Sequence, residues 1–311
     1  MKLAFVFPGQ GSQSVGMMSG LSELTVVRET FAEASDVLGE DLWSMAETGP
    51  SETIALTTNT QPLMLVAGIA TLRAWDAAGG RPPDVFAGHS LGEYPALVAA
   101  ESLTLADAVS LVRFRAQSMQ DAVPPGTGAM AAILGLDDEA VRAACAEAST
   151  DEEVAEAANY NAPNQVVVAG QKAAVERAVE AAKTRGAKRA MLLKMSVPSH
   201  CALMRPASEQ LEAKLKTIAI QTPKVPVIHN ANVRSASNAD EVRDALVRQL
   251  YLPVRWAETI RALIESGVTH VVECGPGKVL SGLNKRIDGG VVSVALTDEA
   301  SVREAVTTLK E

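Results

Sequence analysis

The string Gly88-His89-Ser90-Leu91-Gly92 sets a serine between two glycines, after a short apolar run and ahead of a longer, helix-compatible one. That context suits a nucleophile elbow, a sharp strand-to-helix turn that stands the hydroxyl at the open end of a sheet. The glycines have a steric task, because such a turn brings backbones too close for Cβ atoms. Free N–H groups at the start of the next helix can stabilise an oxyanion, so the chemistry on offer is covalent catalysis at a carbonyl. Ser90 with Glu93 also reads as a capping box ahead of an apolar run. Capping explains two residues and neither glycine, and Glu93 can support the turn while Ser90 does chemistry.

A serine hydroxyl needs a base, usually histidine, and the chain has 4. His89 adjoins the serine; neighbours on an extended strand face opposite ways, which suits a structural hydrogen bond better. His229 and His270 fall in or at the start of predicted strands, as satisfied core or edge histidines do. His200 lies in the irregular segment Val197-Pro198-Ser199-His200-Cys201, and loops on a rigid scaffold are where catalytic residues concentrate. By elimination His200 is the base. Arg115 is the other anomaly. On a helix predicted from Thr104, capped by Thr104 with Asp107, it shares a face with Leu105, Ala108, Leu111, Val112, Ala116 and Met119. A guanidinium in that phase snorkels outward, pairs with an internal carboxylate or binds an anionic ligand. The pattern alone favours the first two and does not decide.

The elements that must position these groups read as an α/β layered fold. Residues 3–7, 84–89, 225–229, 269–273 and 291–296 are short apolar runs of the kind buried on both faces of a parallel sheet. Helical patterns such as 62–75, 104–120 and 298–309 lie between them. From residue 129 the rhythm changes to strand 129–134, helix 137–149, strands 154–160 and 165–169, helix 172–185 and strand 188–193. That β-α-β-β-α-β order is ferredoxin-like. Pro124-Pro125-Gly126-Thr127-Gly128 and Ser196-Val197-Pro198-Ser199 read as its hinges. A large α/β domain of residues 1–125 and 199–311 with a small ferredoxin-like domain of 126–198 inserted is therefore predicted.

The chain's 311 residues suffice for this division, and 47% hydrophobic with 21% charged residues is the profile of a compact protein. A net charge of -9 disfavours a broad grip on nucleic acid or a membrane surface. Cys145, Cys201 and Cys274 show neither CxxC nor metal-like spacing, which predicts no disulfide framework, no metal site and a reducing compartment. The opening apolar run is too short for a signal peptide, and none approaches the ~20 residues of a membrane span. A cytoplasmic enzyme is expected.

Four strings taken together, Phe7-Pro8-Gly9-Gln10-Gly11-Ser12-Gln13, Gly88 to Tyr94, Val197 to His200 and Glu273-Cys274-Gly275-Pro276-Gly277-Lys278-Val279-Leu280, resemble the malonyl-CoA:acyl carrier protein transacylases of bacterial fatty acid synthesis. The likeness spans nearly the whole chain. It implies a hydrolase-like α/β domain with a ferredoxin-like insert and a site in the cleft between them. It also implies ping-pong malonyl transfer from coenzyme A to the phosphopantetheine thiol of an acyl carrier protein, without metal or bound cofactor, by a monomer. By resemblance Ser90 is the nucleophile, His200 the base, and the amides of Gln10 and Leu91 the oxyanion hole. Arg115 is the carboxylate clamp, and the carbonyl of Gln249 orients the histidine. His89, Asn159 and Asn161 fall at the rim or support of the site, and Met119 joins them in the substrate-binding set. Ser199 before the histidine resembles the stand-alone fatty-acid type, although methylmalonyl as substrate and a polyketide carrier stay open.

Two departures stand out. Pro95 replaces a residue with an N–H, which predicts a missing bond to the Leu91 carbonyl and a kink; Cys274 replaces an aliphatic residue. A serine hydrolase or thioesterase is the nearest alternative, and a noncatalytic carrier-docking scaffold a more distant one. For carrier docking the expected patch is drawn from Lys188, Arg189, Lys194, Lys285 and Arg286.

Overall fold

The computed structural model describes residues 1–194 and 197–310. Its strands are β1 (Leu3–Phe7), β2 (Val85–Gly88), β3 (Gly128–Leu134), β4 (Ala155–Ala162), β5 (Gln165–Gln171), β6 (Arg189–Leu192), β7 (Val227–Ile228), β8 (His270–Cys274) and β9 (Val292–Leu296). Every residue of β1 is buried, as a strand covered on both faces must be. Phe5 and Phe7 point into one apolar layer with Trp75, while Ala4 and Val6 point into another with Trp256 and Ile260. This alternation is the period of two of an extended chain.

The larger sheet runs β7-β2-β1-β8-β9, and all its pairings are parallel. From β1 the chain goes to β2 on one side, while β8 lies on the other. In open α/β sheets such a reversal leaves a crevice at the carboxyl ends of the strands. The segments after β1, β2 and β7 supply Gln10, Ser90 and Asn230 there. The second sheet runs β4-β5-β3-β6 with antiparallel pairings, the strand order of a ferredoxin-like unit. Helices Asp138–Ala148 and Lys172–Thr184 cover one face through Ile133, Val141, Val168 and Val175. From the other face Met130, Val167 and Ala169 pack against Cys201 of the larger unit. Backbone bonds also join the two: Tyr160 N–H donates to the Val254 carbonyl at 2.9 Å and Val254 N–H to that of Ala158 at 2.9 Å.

The expected α/β fold with a small antiparallel unit is present, with local corrections. The helix predicted from Pro62 begins at Thr57 and carries Pro62 inside it. A proline is the usual mark of a first turn, but upstream packing extends this helix through it. The run 225–229 yields only the two residues of β7, so His229 lies beyond the strand. Of the second predicted hinge, Ser196 lies outside the described residues. All three cysteines are free and buried.

Candidate active site

β2 ends at Gly88, and a 3₁₀ turn over Ser90–Gly92 leads into the helix Glu93–Ala99. The turn forces Ser90 to φ 52°, a strained value for a residue with a side chain. The flanking glycines make it possible. A Cβ on Gly88 would sit 1.9 Å from the Gly92 carbonyl carbon, and one on Gly92 would sit 2.0 Å from the Phe7 carbonyl oxygen. Asn230 clasps the bend from outside, accepting from Ser90 N–H at 2.7 Å and donating to the Gly88 carbonyl at 2.6 Å.

The capping reading fails here, since no side chain caps either the turn or the helix. Glu93 instead points inward, fully buried. Its carboxylate accepts from His229 Nδ1 at 2.5 Å, from Asn230 N–H at 3.2 Å and from Gln249 Nε2. The bond from residue 95 to the Leu91 carbonyl is absent, as expected, but its loss is made good. The helix starts at Glu93, so Pro95 occupies its first turn, where an N–H has no intrahelical acceptor anyway. The Leu91 carbonyl is satisfied by Glu93 N–H.

Ser90 Oγ lies 2.7 Å from His200 Nε2, and His200 Nδ1 lies 2.7 Å from the Gln249 carbonyl. Because a carbonyl only accepts, Nδ1 carries the proton and Nε2 is free to receive one from the serine. The loop is fixed by the end of the helix Ala239–Tyr251, whose last carbonyls have no partner within the helix. Those of Gln249 and Leu250 take the ring and backbone N–H of His200, the latter at 3.0 Å. His200 itself adopts φ 63°. Burial, assisted by the nearby Arg115 charge, lowers its pKa to about 3, so the imidazole is neutral and able to act as a base at neutral pH.

Arg115 is 1% exposed, which removes the snorkelling option. Among the described residues no carboxylate pairs with it. Its two amino groups donate to Gln61 Oε1 at 2.8 Å and Gln249 Oε1 at 3.0 Å, and its Nε has no partner. The Tyr94 ring lies 5.5 Å from the guanidinium carbon. Burial lowers the arginine's pKa, and the nearby Tyr94 and Glu93 offset that desolvation only in part. A buried cation so arranged suits an anion entering from the adjoining cavity.

That cavity, of about 330 Å³, is lined by Ser90, His200, Gln10, Leu91 and Arg115. Met119, His89, Asn159 and Asn161 line it too, so of the residues singled out only Gln249 stands behind the wall. His89 Nε2 donates to Asn161 Oδ1 at 2.8 Å. Small-unit residues Met130 and Val167 complete the cleft, and Lys194 also lines it. Arg286 is held by Gln165 at 2.7 Å. The string 273–280 stays outside the lining: buried Glu273 accepts from Leu280 and Ser281 N–H, tying β8 to the helix Val279–Ile287.

The sequence reading missed Gln61, Asn230 and the side chain of Gln249. Gln61 was masked by taking Pro62 as a helix start. Asn230 follows a strand end at the sheet's carboxyl edge, which was its available signal.

Residues 4–307 match the acyl transferase domain family. The malonyl CoA-acyl carrier protein transacylase of Escherichia coli K12 is 51% identical over 306 residues, 98% of this chain and 99% of that one. The crystal structure of an acyl-carrier-protein S-malonyltransferase from Burkholderia pseudomallei is 56% identical and superposes with a TM-score of 0.97, covering 99% of this chain and 100% of that one. A malonyl-transacylase solved in complex with a type II PKS acyl-carrier protein gives a TM-score of 0.97 at 49% identity, with coverage of 99% and 100%.

Proposed function

The chain belongs to the acyl transferase family, among its malonyl CoA-acyl carrier protein transacylases, and we propose that it transfers malonyl through an ester on Ser90. The observation that carries this mechanism is the bonded series Ser90 Oγ, His200 Nε2, His200 Nδ1 and Gln249 carbonyl, with 2.7 Å at each contact. His200 takes the proton as Ser90 Oγ attacks the malonyl thioester. The amides of Gln10 and Leu91 receive the oxyanion, and losing one such donor typically costs ~100-fold or more. The C–S bond breaks, the thiolate of coenzyme A takes the proton from His200, and a malonyl ester remains. The phosphopantetheine thiol of the carrier then enters, gives its proton to His200 and attacks the ester. Collapse returns the proton to Ser90 Oγ.

Arg115 is the clamp for the free malonyl carboxylate, and its buried charge with an unpartnered Nε supports that role. Met119, His89, Asn159 and Asn161 shape the cavity around the acyl chain and pantetheine arm. The scheme calls for no metal or bound cofactor, and an acyl carrier protein is its partner. We assign residues 126–198 to the small domain and place the enzyme, as a monomer, in the cytoplasm, where three buried free thiols suit a reducing milieu. Initial-rate kinetics test the scheme. Parallel double-reciprocal lines for malonyl-CoA and carrier are expected; intersecting lines, or rapid multiple-turnover release of malonate without carrier, would indicate a ternary complex or a hydrolase.

A further inference from the structure

Glu93 has no part in the scheme above, yet it is fully buried directly behind the reacting groups. A carboxylate is an acceptor only, so whatever faces it must donate. Gln249 answers with Nε2, which it shares between Glu93 and the Ser90 carbonyl, the latter at 2.8 Å. With both amide hydrogens so committed, Gln249 Oε1 has one direction left, toward Arg115 Nη2 at 3.0 Å. A reversed amide would set its oxygen against two acceptors and its NH₂ against a cation.

We propose that Glu93 is a positioning residue for acyl selectivity: by fixing the side-chain amide of Gln249 it aims the Arg115 fork at the malonyl carboxylate. The inference rests on the clamp role given to Arg115 above. The same carboxylate holds His229 Nδ1 and Asn230 N–H. Asn230 in turn clasps Ser90, so clamp and elbow share one buried anchor.

The test compares malonyl-CoA with acetyl-CoA as donors in single-turnover loading of Ser90. Glu93→Met keeps the length of the side chain but removes both acceptor oxygens, including the one that Gln249 Nε2 and Asn230 N–H share. The malonyl-over-acetyl preference is expected to fall by about tenfold or more, the scale of a misdirected hydrogen bond to a charged group. In a Gln249→Leu background the same change should then leave the preference where Gln249→Leu alone puts it. A purely structural role would lower both donors together with the folded fraction and leave their ratio unchanged, and that result overturns the proposal. If Glu93→Met fails to fold, Gln249→Leu carries the test alone: an unaltered preference contradicts the relay. Should the wild type never load Ser90, or Arg115→Ala leave the preference intact, the functional reading fails instead, and the two failures are distinguishable.

Discussion

The small antiparallel unit and the ground beneath Ser90 are built from opposite materials. Behind β3 to β5 the interior is alanine, valine, isoleucine and leucine with one cysteine. Between residues 126 and 194 the one buried polar side chain among the described residues is Asn159, and it lines the active-site cavity. Beneath Ser90 the reverse holds: Gln61, Glu93, Arg115, His200, His229, Asn230 and Gln249 are all buried. An apolar interior contributes stability in proportion to area and tolerates small changes. A polar one contributes position, and each loss leaves a partner stranded. The small unit is thus a wall, and the polar region is the machine that the wall encloses.

Substitutions in the two regions should separate accordingly. Ser90→Ala is expected to cost about 10,000-fold or more in carrier malonylation, and His200→Ala about 100- to 10,000-fold, whereas the partner each leaves stranded should cost no more than about 1–3 kcal/mol of stability. Arg115→Ala should lower malonyl transfer about 100-fold relative to acetyl, since only malonyl brings a second carboxylate; equal losses would dismiss the clamp. In the wall, Val168→Ala should remove about 2 kcal/mol of stability on chemical denaturation while the folded enzyme keeps its turnover. A catalytic loss larger than the stability loss would break the contrast.

The smallest effect concerns pH. In the proposed scheme His200 acts unprotonated, and burial lowers its pKa to about 3. Ser90 loading should therefore change by less than about twofold between about pH 7 and about pH 5, where an ordinary histidine would lose about twentyfold. A midpoint near the ordinary histidine value in pre-steady-state loading would show that His200 is more solvated than its surroundings imply.

The same contrast explains what the chain's order of residues disclosed. The succession of short strands and helical patterns from 129 to 193 and the glycines around Ser90 are local signals, so the ferredoxin-like unit and the elbow were legible. His200 was reachable by elimination because few histidines compete. Arg115 showed only as an apolar face interrupted by a charge, and its partners Gln61 and Gln249 come from 54 and 134 residues away. Glu93 offered only a local reading, as a cap or a support for the turn, because its partners His229, Asn230 and Gln249 lie 136 to 156 residues along the chain. Networks assembled by tertiary contact leave no period to read, and Pro62, carried inside its helix, shows packing overriding a local helix rule.

Intact-mass and peptide mapping of the enzyme mixed with malonyl-CoA, then chased with phosphopantetheinylated carrier, test the central claim most directly. One malonyl group on the peptide containing Ser90, discharged by the carrier and absent from Ser90→Ala, is the expected result. Carrier malonylated at full rate with no ester ever on Ser90 would contradict it.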